Sequence, residues 1–209
     1  MDAPADLGLF PLPVVLLPGE AMPLHIFEPR YRRLVADCVL EDVPFVLVLS
    51  TDEGVARVGC AARVESLVRR FADGRMNVVV RGVERVEILE QSSGRMYLSA
   101  LVRPLGDEPG GGVPDAALEE EVLALYRDLV AQVAGAAADP QVREGVPLSF
   151  AVAATFEAPP EVRQDLLQRR DEESRLVILR DLLTQARGRA DRASIAAARA
   201  RTNGKVSHG

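Results

Sequence analysis

The residues that most often carry enzymatic chemistry are scarce in this chain. Its 209 residues include two histidines, two cysteines and one lysine, Lys205, among 25 basic residues. A serine–lysine protease dyad needs a lysine that acts as a base, and a phosphate-binding loop of the type G-x-x-x-x-G-K-[ST] needs a lysine on the phosphates. Neither pattern is present, so we expect no peptidase or ATPase chemistry in this sequence, no catalytic residue and no cofactor.

The other reactive side chains form no catalytic or metal-binding set. His25 lies in an apolar strand and is interpreted either as a general base or as a rim residue hydrogen-bonded to backbone, and no G-x-S-x-G motif accompanies it. Cys38 and Cys60 fit small buried hydrophobic residues. The acidic residues 171–173 fit the first turn of a helix, where the helix dipole favours negative charge. We therefore predict no metal site.

The run H-I-F-E-P-R-Y-R, residues 25–32, is a better candidate for binding than for catalysis. In one interpretation Phe27, Glu28 and Tyr31 border a groove that takes peptide. In the other, Glu28 accepts hydrogen bonds from the free N–H groups of the next helix and Arg30 pairs with an acid on the sheet. Both interpretations place Tyr31 on an apolar helix face, so its ring is expected to pack against the sheet.

Three arginines form a second candidate surface. Arg69, Arg70 and Arg75 flank Asp73-Gly74, a dipeptide that predicts a two-residue hairpin turn. The arginines are either solvated at the hairpin tip or form a contact surface for an anionic partner. With Phe27, Glu28 and Tyr31 they make up the predicted peptide-binding residues.

The surrounding pattern predicts strands and then helices. Pro29 suits the first position of a helix, with Tyr31, Leu34, Val35, Cys38 and Val39 recurring on one apolar face. Residues 58–64 alternate as in a half-buried strand, and residues 76–89 form its return strand, with Gly82 at a bulge or close contact. Several helices follow residues 106–114. Asp171 is expected to cap the last helix, Gly188 to end it, and the basic remainder to be disordered.

Charge and hydropathy argue against a nucleic-acid-binding protein and against a membrane protein. The net charge is −6, and residues 187–209 contain six basic residues and one acidic residue, a net charge of +5, so residues 1–186 carry −11. An acidic body argues against nucleic-acid binding. No apolar stretch is long enough to span a membrane. The apolar residues 7–17 follow Asp2 and Asp6 and contain two prolines, unlike a signal peptide. We expect a cytoplasmic protein.

Three blocks resemble the N-terminal, substrate-binding domain of Lon proteases. They are LFPLPVVLLPGEAMPLHIFEPRYRRLV near the start, VGCAARVESLVRRFADGRMNVVVRGVERVEIL at 58–89, and LSFAVAATFEAPPEVRQDLLQRRDEESRLVILRDLL at 148–183. The resemblance implies an α+β fold, with a PUA-like antiparallel β pseudo-barrel that contains one inserted helix and is followed by a C-terminal helical bundle. We expect a barrel at 7–105, a bundle at 115–187 and a disordered basic tail at 188–209. The chain is expected to be a free-standing relative without the ATPase and peptidase parts.

The resemblance implies a function in binding rather than catalysis. We expect a non-enzymatic module that binds unfolded or tagged polypeptides or a protein partner, as an adaptor in protein quality control. Free strand edges can accept an extended peptide by strand addition. The alternative function is RNA binding, which is common among PUA-like folds. A second alternative is an enzyme of another type. The oligomeric state does not follow from the sequence.

Overall fold

The computed structural model describes residues 4–92, 94–108 and 114–203, with side chains as far as Arg192. The strands are β1 (Ala5–Leu12), β2 (Ala21–Ile26), β3 (Phe45–Thr51), β4 (Gly54–Val55), β5 (Val58–Arg70), β6 (Met76–Ser92) and β7 (Ser99–Pro104). The helices are α1 (Pro29–Glu41), α2 (Ala116–Ala134), α3 (Leu148–Ala153), α4 (Pro160–Gln168) and α5 (Glu172–Asn203). The predicted α+β class, with an inserted helix and C-terminal helices, is confirmed.

Five strands close into a small barrel in the order β1-β7-β6-β5-β3, and a pairing of β1 with β3 completes the ring. That last pairing is parallel, with Leu9 opposite Val46, whereas the others are antiparallel. Alternate residues of the five strands form a compact apolar cluster: Leu7, Leu9, Val46, Val48, Ala61, Val86, Ala100 and Val102. Because the helices cover the outer face, this cluster fills the interior of the barrel.

The first half of β5 is buried on both faces, unlike the half-buried strand predicted from its alternation. Gly59 and Ala61 are as buried as Cys60 and Ala62. The even-numbered pair joins the cluster formed with the helices, while Ala61 lies inside the barrel. A strand between two apolar layers needs small residues on at least one face, which explains the run G-C-A-A.

The far halves of β5 and β6 form a hairpin arm, defined here as residues 63–81. β3 pairs with β5 only as far as Ala62, and β2 pairs along residues 76–81 of β6. At the tip, Phe71 donates its N–H to the carbonyl of Arg75 at 2.8 Å and Gly74 donates to Phe71 at 3.0 Å. The loop therefore has three residues rather than the two predicted, with Gly74 at φ 86° in the left-handed position that such loops require.

Helix α1 lies beside this arm and runs antiparallel to β5. Near its start, Arg32 donates to the carbonyl of Asp73 at the hairpin tip, and just beyond its end Asp42 pairs with Arg63 at the base of the arm. Pro29 occupies the first turn as predicted, and Tyr31, Leu34, Val35 and Cys38 are buried. The helix is thus fixed to the arm at both ends.

The predicted close contact at Gly82 is confirmed. A Cβ atom there would lie 2.2 Å from the carbonyl oxygen of Leu17 and 2.9 Å from the sulfur of Cys60. The register of β5 and β6 shifts beside it. The dipeptide Pro18-Gly19, which predicts a type II turn from sequence, also forms one: the N–H of Glu20 donates to the carbonyl of Leu17 at 3.2 Å, and Gly19 has φ 80°.

The C-terminal helices share one core with the outer face of the barrel, which includes Phe45 and Cys60 as well as Phe150 and Leu179. Asp171 caps α5, accepting from the N–H of Ser174 at 2.7 Å. The predicted helix end at Gly188 is wrong, because α5 continues to Asn203. A glycine inside a helix costs about 1 kcal/mol, which the alanine- and arginine-rich flanks offset. The predicted disordered tail is therefore helical up to residue 203, and 204–209 lie outside the described residues.

A buried ionic cluster joins the bundle to the segment that follows the barrel. The fully buried Arg175 donates to Asp107 and to Glu172, both at 2.6 Å, and Arg85 also reaches Asp107. Burial alone would raise the pKa of Asp107, but the hydrogen bonds and charges of Arg175 and Arg85 outweigh it and the pKa is lowered. The predicted division at 105 and 115 stays a prediction, and this cluster lies across it.

Candidate functional site

An open apolar groove lies between α1 and the hairpin arm, and we call it the α1–β5 groove. It encloses about 510 Å³. Helix α1 contributes one wall with Val35, Val39 and Leu40. The arm contributes the other wall and the base, with Val64, Leu67, Arg70, Met76 and Val78.

Two irregularities in β5 determine which side chains reach the groove. The register shifts between Val64 and Ser66 and again between Leu67 and Arg69. Val64, Leu67 and Arg70 consequently stand opposite Val80, Val78 and Met76, which share one buried face of β6. A regular strand would bring residues two apart to one face. The two bulges change that spacing to three and direct Leu67 and Arg70 to the side where α1 lies.

Three apolar residues at the groove are more than half exposed. Leu40 is 84% exposed, Val39 60% and Leu67 55%. Val39 was predicted to face inward with the rest of the α1 stripe. It does not, because Tyr31, Leu34, Val35 and Cys38 form the buried side of the helix, in the core that includes Phe10 and Phe45 of the barrel, and Val39 lies outside that core. Grouped apolar side chains on a surface are typical of a binding site.

Beside these side chains lies a free strand edge. Within the described residues, β3 ends its pairing at Ala62, and β5 from residue 63 to residue 70 is paired on the β6 side alone. The unpaired N–H and C=O groups of such an edge can bond to an extended chain. The groove therefore combines apolar contacts with backbone hydrogen-bonding groups.

The predicted peptide-binding residues separate into three groups. Tyr31 is scaffold: it is 7% exposed, and its ring lies 4.1 Å from that of Phe10. Burial raises its pKa. Glu28 occupies the helix cap position but its side chain accepts no capping hydrogen bond, and instead pairs with Arg30 at 2.8 Å. Both structural expectations for Glu28 and Arg30 are therefore corrected, because the two side chains bind each other.

Phe27 belongs to an aromatic cluster at the hairpin tip. It is 59% exposed and stacks with His25, whose ring is 6.1 Å from that of Phe71. Arg69 and Arg75 lie over the Phe71 ring at 4.6 and 5.3 Å. The sequence analysis named the other members of this cluster as candidates but not Phe71. The ring of Phe71 contacts His25, Arg69 and Arg75.

Arg70 lies apart from that cluster and lines the α1–β5 groove. Among the predicted binding residues it is the one that belongs to the groove. The groove residues Val39, Leu40, Val64 and Leu67 were not predicted as a site. The sequence contained a pattern that could have indicated them: in V-E-S-L-V-R, residues 64–69, Val64 and Leu67 are three residues apart, a spacing that a regular strand does not explain.

The histidine and cysteine side chains with described positions have ordinary structural surroundings. His25 is exposed, and its Nδ1 is 2.6 Å from the amide oxygen of Asn77, so its partner is a side chain and not the backbone that was expected. Burial raises the pKa of the Cys38 thiol to about 11 and raises that of Cys60 further. Among the residues with described side chains, no three His, Cys, Asp or Glu are grouped to hold a metal ion.

Sequence and structure comparisons agree on the family. The sequence model of the substrate-binding domain of ATP-dependent protease La (LON) matches residues 6–185. A crystal structure of a Lon N-terminal domain protein from Xanthomonas campestris superposes with a TM-score of 0.64 at 27% identity, covering 84% of this chain and 96% of that one. The N-terminal domain of a Lon protease of the Mycobacterium avium complex shares the fold, with a TM-score of 0.66 at 20% identity over 86% of this chain and 98% of that one.

Full-length relatives are longer than this chain. The Lon protease of Anaeromyxobacter dehalogenans is 26% identical over 203 residues, which cover 89% of this chain and 24% of that protein. The Lon protease of Phenylobacterium zucineum is 29% identical over 189 residues, 79% of this chain and 23% of that protein. The chain spans about a quarter of the length of these relatives. With the family model matched over residues 6–185, the chain belongs to the family of Lon substrate-binding domains.

Proposed function

We propose that this protein is a non-catalytic polypeptide-binding module that takes extended apolar segments of unfolded or tagged polypeptides into the α1–β5 groove. In this proposal it acts as an adaptor in protein quality control and presents the bound chain to a partner. The observation that carries the proposal is the row of exposed apolar side chains, Val39, Leu40 and Leu67, beside a strand edge that no described strand pairs with. The family's substrate-binding role supports it.

In this proposal the backbone of the arm and the side chains of the groove contribute to binding in different ways. A chain added along residues 63–70 would form backbone hydrogen bonds that do not depend on sequence, while the groove would accept its apolar side chains. A module that binds many unfolded chains needs this weak selectivity. RNA binding is not proposed, because the described surface outside the arm pairs most of its arginines with carboxylates.

The test is binding of a fluorescently labelled, reduced and alkylated α-lactalbumin, which stays unfolded, measured by anisotropy. Leu40→Ser and Leu67→Ser should each weaken binding about tenfold, the effect of losing roughly 1.4 kcal/mol of apolar burial. Both side chains are more than half exposed, so the melting temperature should change little. The matched control is Val133→Ser, an exposed apolar residue of α2, which should bind like wild type. Equal affinities for all four proteins would contradict the proposal.

A further inference from the structure

The two ends of the α1–β5 groove differ in charge. At the end near the hairpin tip, Arg70 lines the groove and Arg32 of α1 reaches the tip, and within the described residues neither guanidinium group is within 4.0 Å of a carboxylate. Arg32 donates to a backbone carbonyl, that of Asp73. At the other end, just beyond α1, Asp42 pairs with Arg63. The excess positive charge is therefore confined to the tip.

The acidic side chains near the tip are already engaged. Asp73 pairs with Arg75 at 2.7 Å, and Glu28 pairs with Arg30 at 2.8 Å. Glu65, the acidic residue in the groove lining, is held by Arg81 at 2.7 Å. The pKa of Asp73 is lowered, first by the hydrogen bond from the backbone N–H of Arg75, so this carboxylate stays ionised and paired. None of these acids pairs with Arg32 or Arg70.

The start of α1 adds to the same field. Glu28 at the cap position makes no side-chain hydrogen bond to the first turn, and no acidic residue lies in that turn. The helix N-terminus carries a partial positive charge, and it lies at the tip end, where Arg32 reaches Asp73. In a chain with a net charge of −6, an uncompensated positive region at the end of an apolar groove indicates a ligand that is apolar with a negative end.

We propose that the α1–β5 groove selects apolar polypeptide segments that are flanked by acidic side chains, with the acidic flank against Arg70 at the hairpin tip. The inference rests on the proposed function and adds a substrate class to it. Arg70 is the discriminating residue because it lines the groove itself, whereas Arg69 lies over Phe71. The contact would be solvent-accessible, so its contribution is modest and sensitive to salt.

The experiment compares three synthetic peptides with one apolar core and capped termini, flanked by two glutamates, two serines or two lysines. At 20 mM salt the glutamate-flanked peptide should bind about threefold to tenfold more tightly than the serine-flanked peptide, and the lysine-flanked peptide should bind least tightly. The preference should shrink at 0.5 M salt, where the Debye length falls to a few ångströms. Capped termini ensure that only the side chains differ.

A charge reversal gives the sharper test. Arg70→Glu should reverse the order, so that the lysine-flanked peptide binds more tightly than the glutamate-flanked one. Arg143→Glu is the matched control, because Arg143 is exposed in the bundle, and it should keep the wild-type order. Binding of all three peptides with equal affinity would overturn the acidic selectivity and leave the proposed function standing, whereas binding of none would contradict the proposed function itself. Displacement of the glutamate-flanked peptide by a 20-nucleotide single-stranded RNA, lost in Arg70→Glu, would also overturn the inference in favour of nucleic acid.

Discussion

Tyr31 and Phe27 lie four residues apart in one run of sequence, and the structure assigns them opposite roles. A buried aromatic side chain removes about 200 Å² from water. At about 25 cal/mol per Å², Tyr31, which is 7% exposed, contributes up to about 4–5 kcal/mol. Phe27, which is 59% exposed, contributes no more than about 2 kcal/mol on the same scale.

We expect Tyr31→Ala to lower the free energy of unfolding by about 3–4 kcal/mol, since the cavity beside Phe10 adds to the lost burial. Phe27→Ala should cost about 1 kcal/mol. Urea unfolding followed by circular dichroism measures both, with the slope m expected to stay constant. Tyr31→Phe is the control: the hydroxyl has no hydrogen-bond partner among the described residues, so this variant should stay within about 0.5 kcal/mol of wild type.

If Phe27→Ala destabilised the fold as much as Tyr31→Ala, the assignment of Phe27 to an exposed surface would be wrong. In that case Phe27 would be part of the core, and the aromatic cluster at the hairpin tip could not be an accessible surface. An unfolding slope that changed in either variant would also remove the basis for comparing their free energies.

Three further predictions concern the scaffold. Gly82→Ala should lower the melting temperature strongly or prevent folding, because its Cβ would lie 2.2 Å from a backbone oxygen, whereas Gly106→Ala, where nothing lies within 4 Å, should be nearly neutral by differential scanning calorimetry. The pKa of Asp107 is lowered in the folded protein, so its carboxylate stabilises the fold fully above the unfolded pKa near 3.8. This stabilisation is lost as the pH falls through the lower folded pKa. Asp107→Asn should therefore lose less stability than wild type does when the pH falls below about 4. Alkylation by iodoacetamide at pH 7.5 should be slow at Cys38 and Cys60, whose pKa values burial raises, and fast for both after unfolding in urea.

Local signals in the sequence predicted the elements well. Pro29 at the start of α1, Asp171 at the cap of α5, and Pro18-Gly19 in a closed turn each act through backbone geometry within four residues. Such rules do not depend on the rest of the fold. The same holds for Gly74, whose positive φ was predicted even though the loop has three residues rather than two.

The site was less predictable because it depends on contacts between distant segments. Whether Val39 is buried depends on which side of α1 packs into the core with the barrel, and Val39 lies outside that core. The orientation of Leu67 depends on two bulges in β5, which alternation alone does not reveal. The run H-I-F-E-P-R-Y-R, residues 25–32, contains both Tyr31, which is buried in the core, and Phe27, which is exposed. Only their tertiary contacts distinguish the two.

Hydrogen–deuterium exchange can locate a bound polypeptide on the surface of this protein. With the α1–β5 groove occupied by saturating unfolded α-lactalbumin, amides of residues 63–70 on the free edge of β5 and of α1 near Leu40 should exchange more slowly than in the free protein. The short edge strand β4, Gly54–Val55, serves as the internal control and should not change. Measurable binding with protection only elsewhere, on β2, β4 or the C-terminal helices, would place the binding site outside the α1–β5 groove and contradict the proposed function.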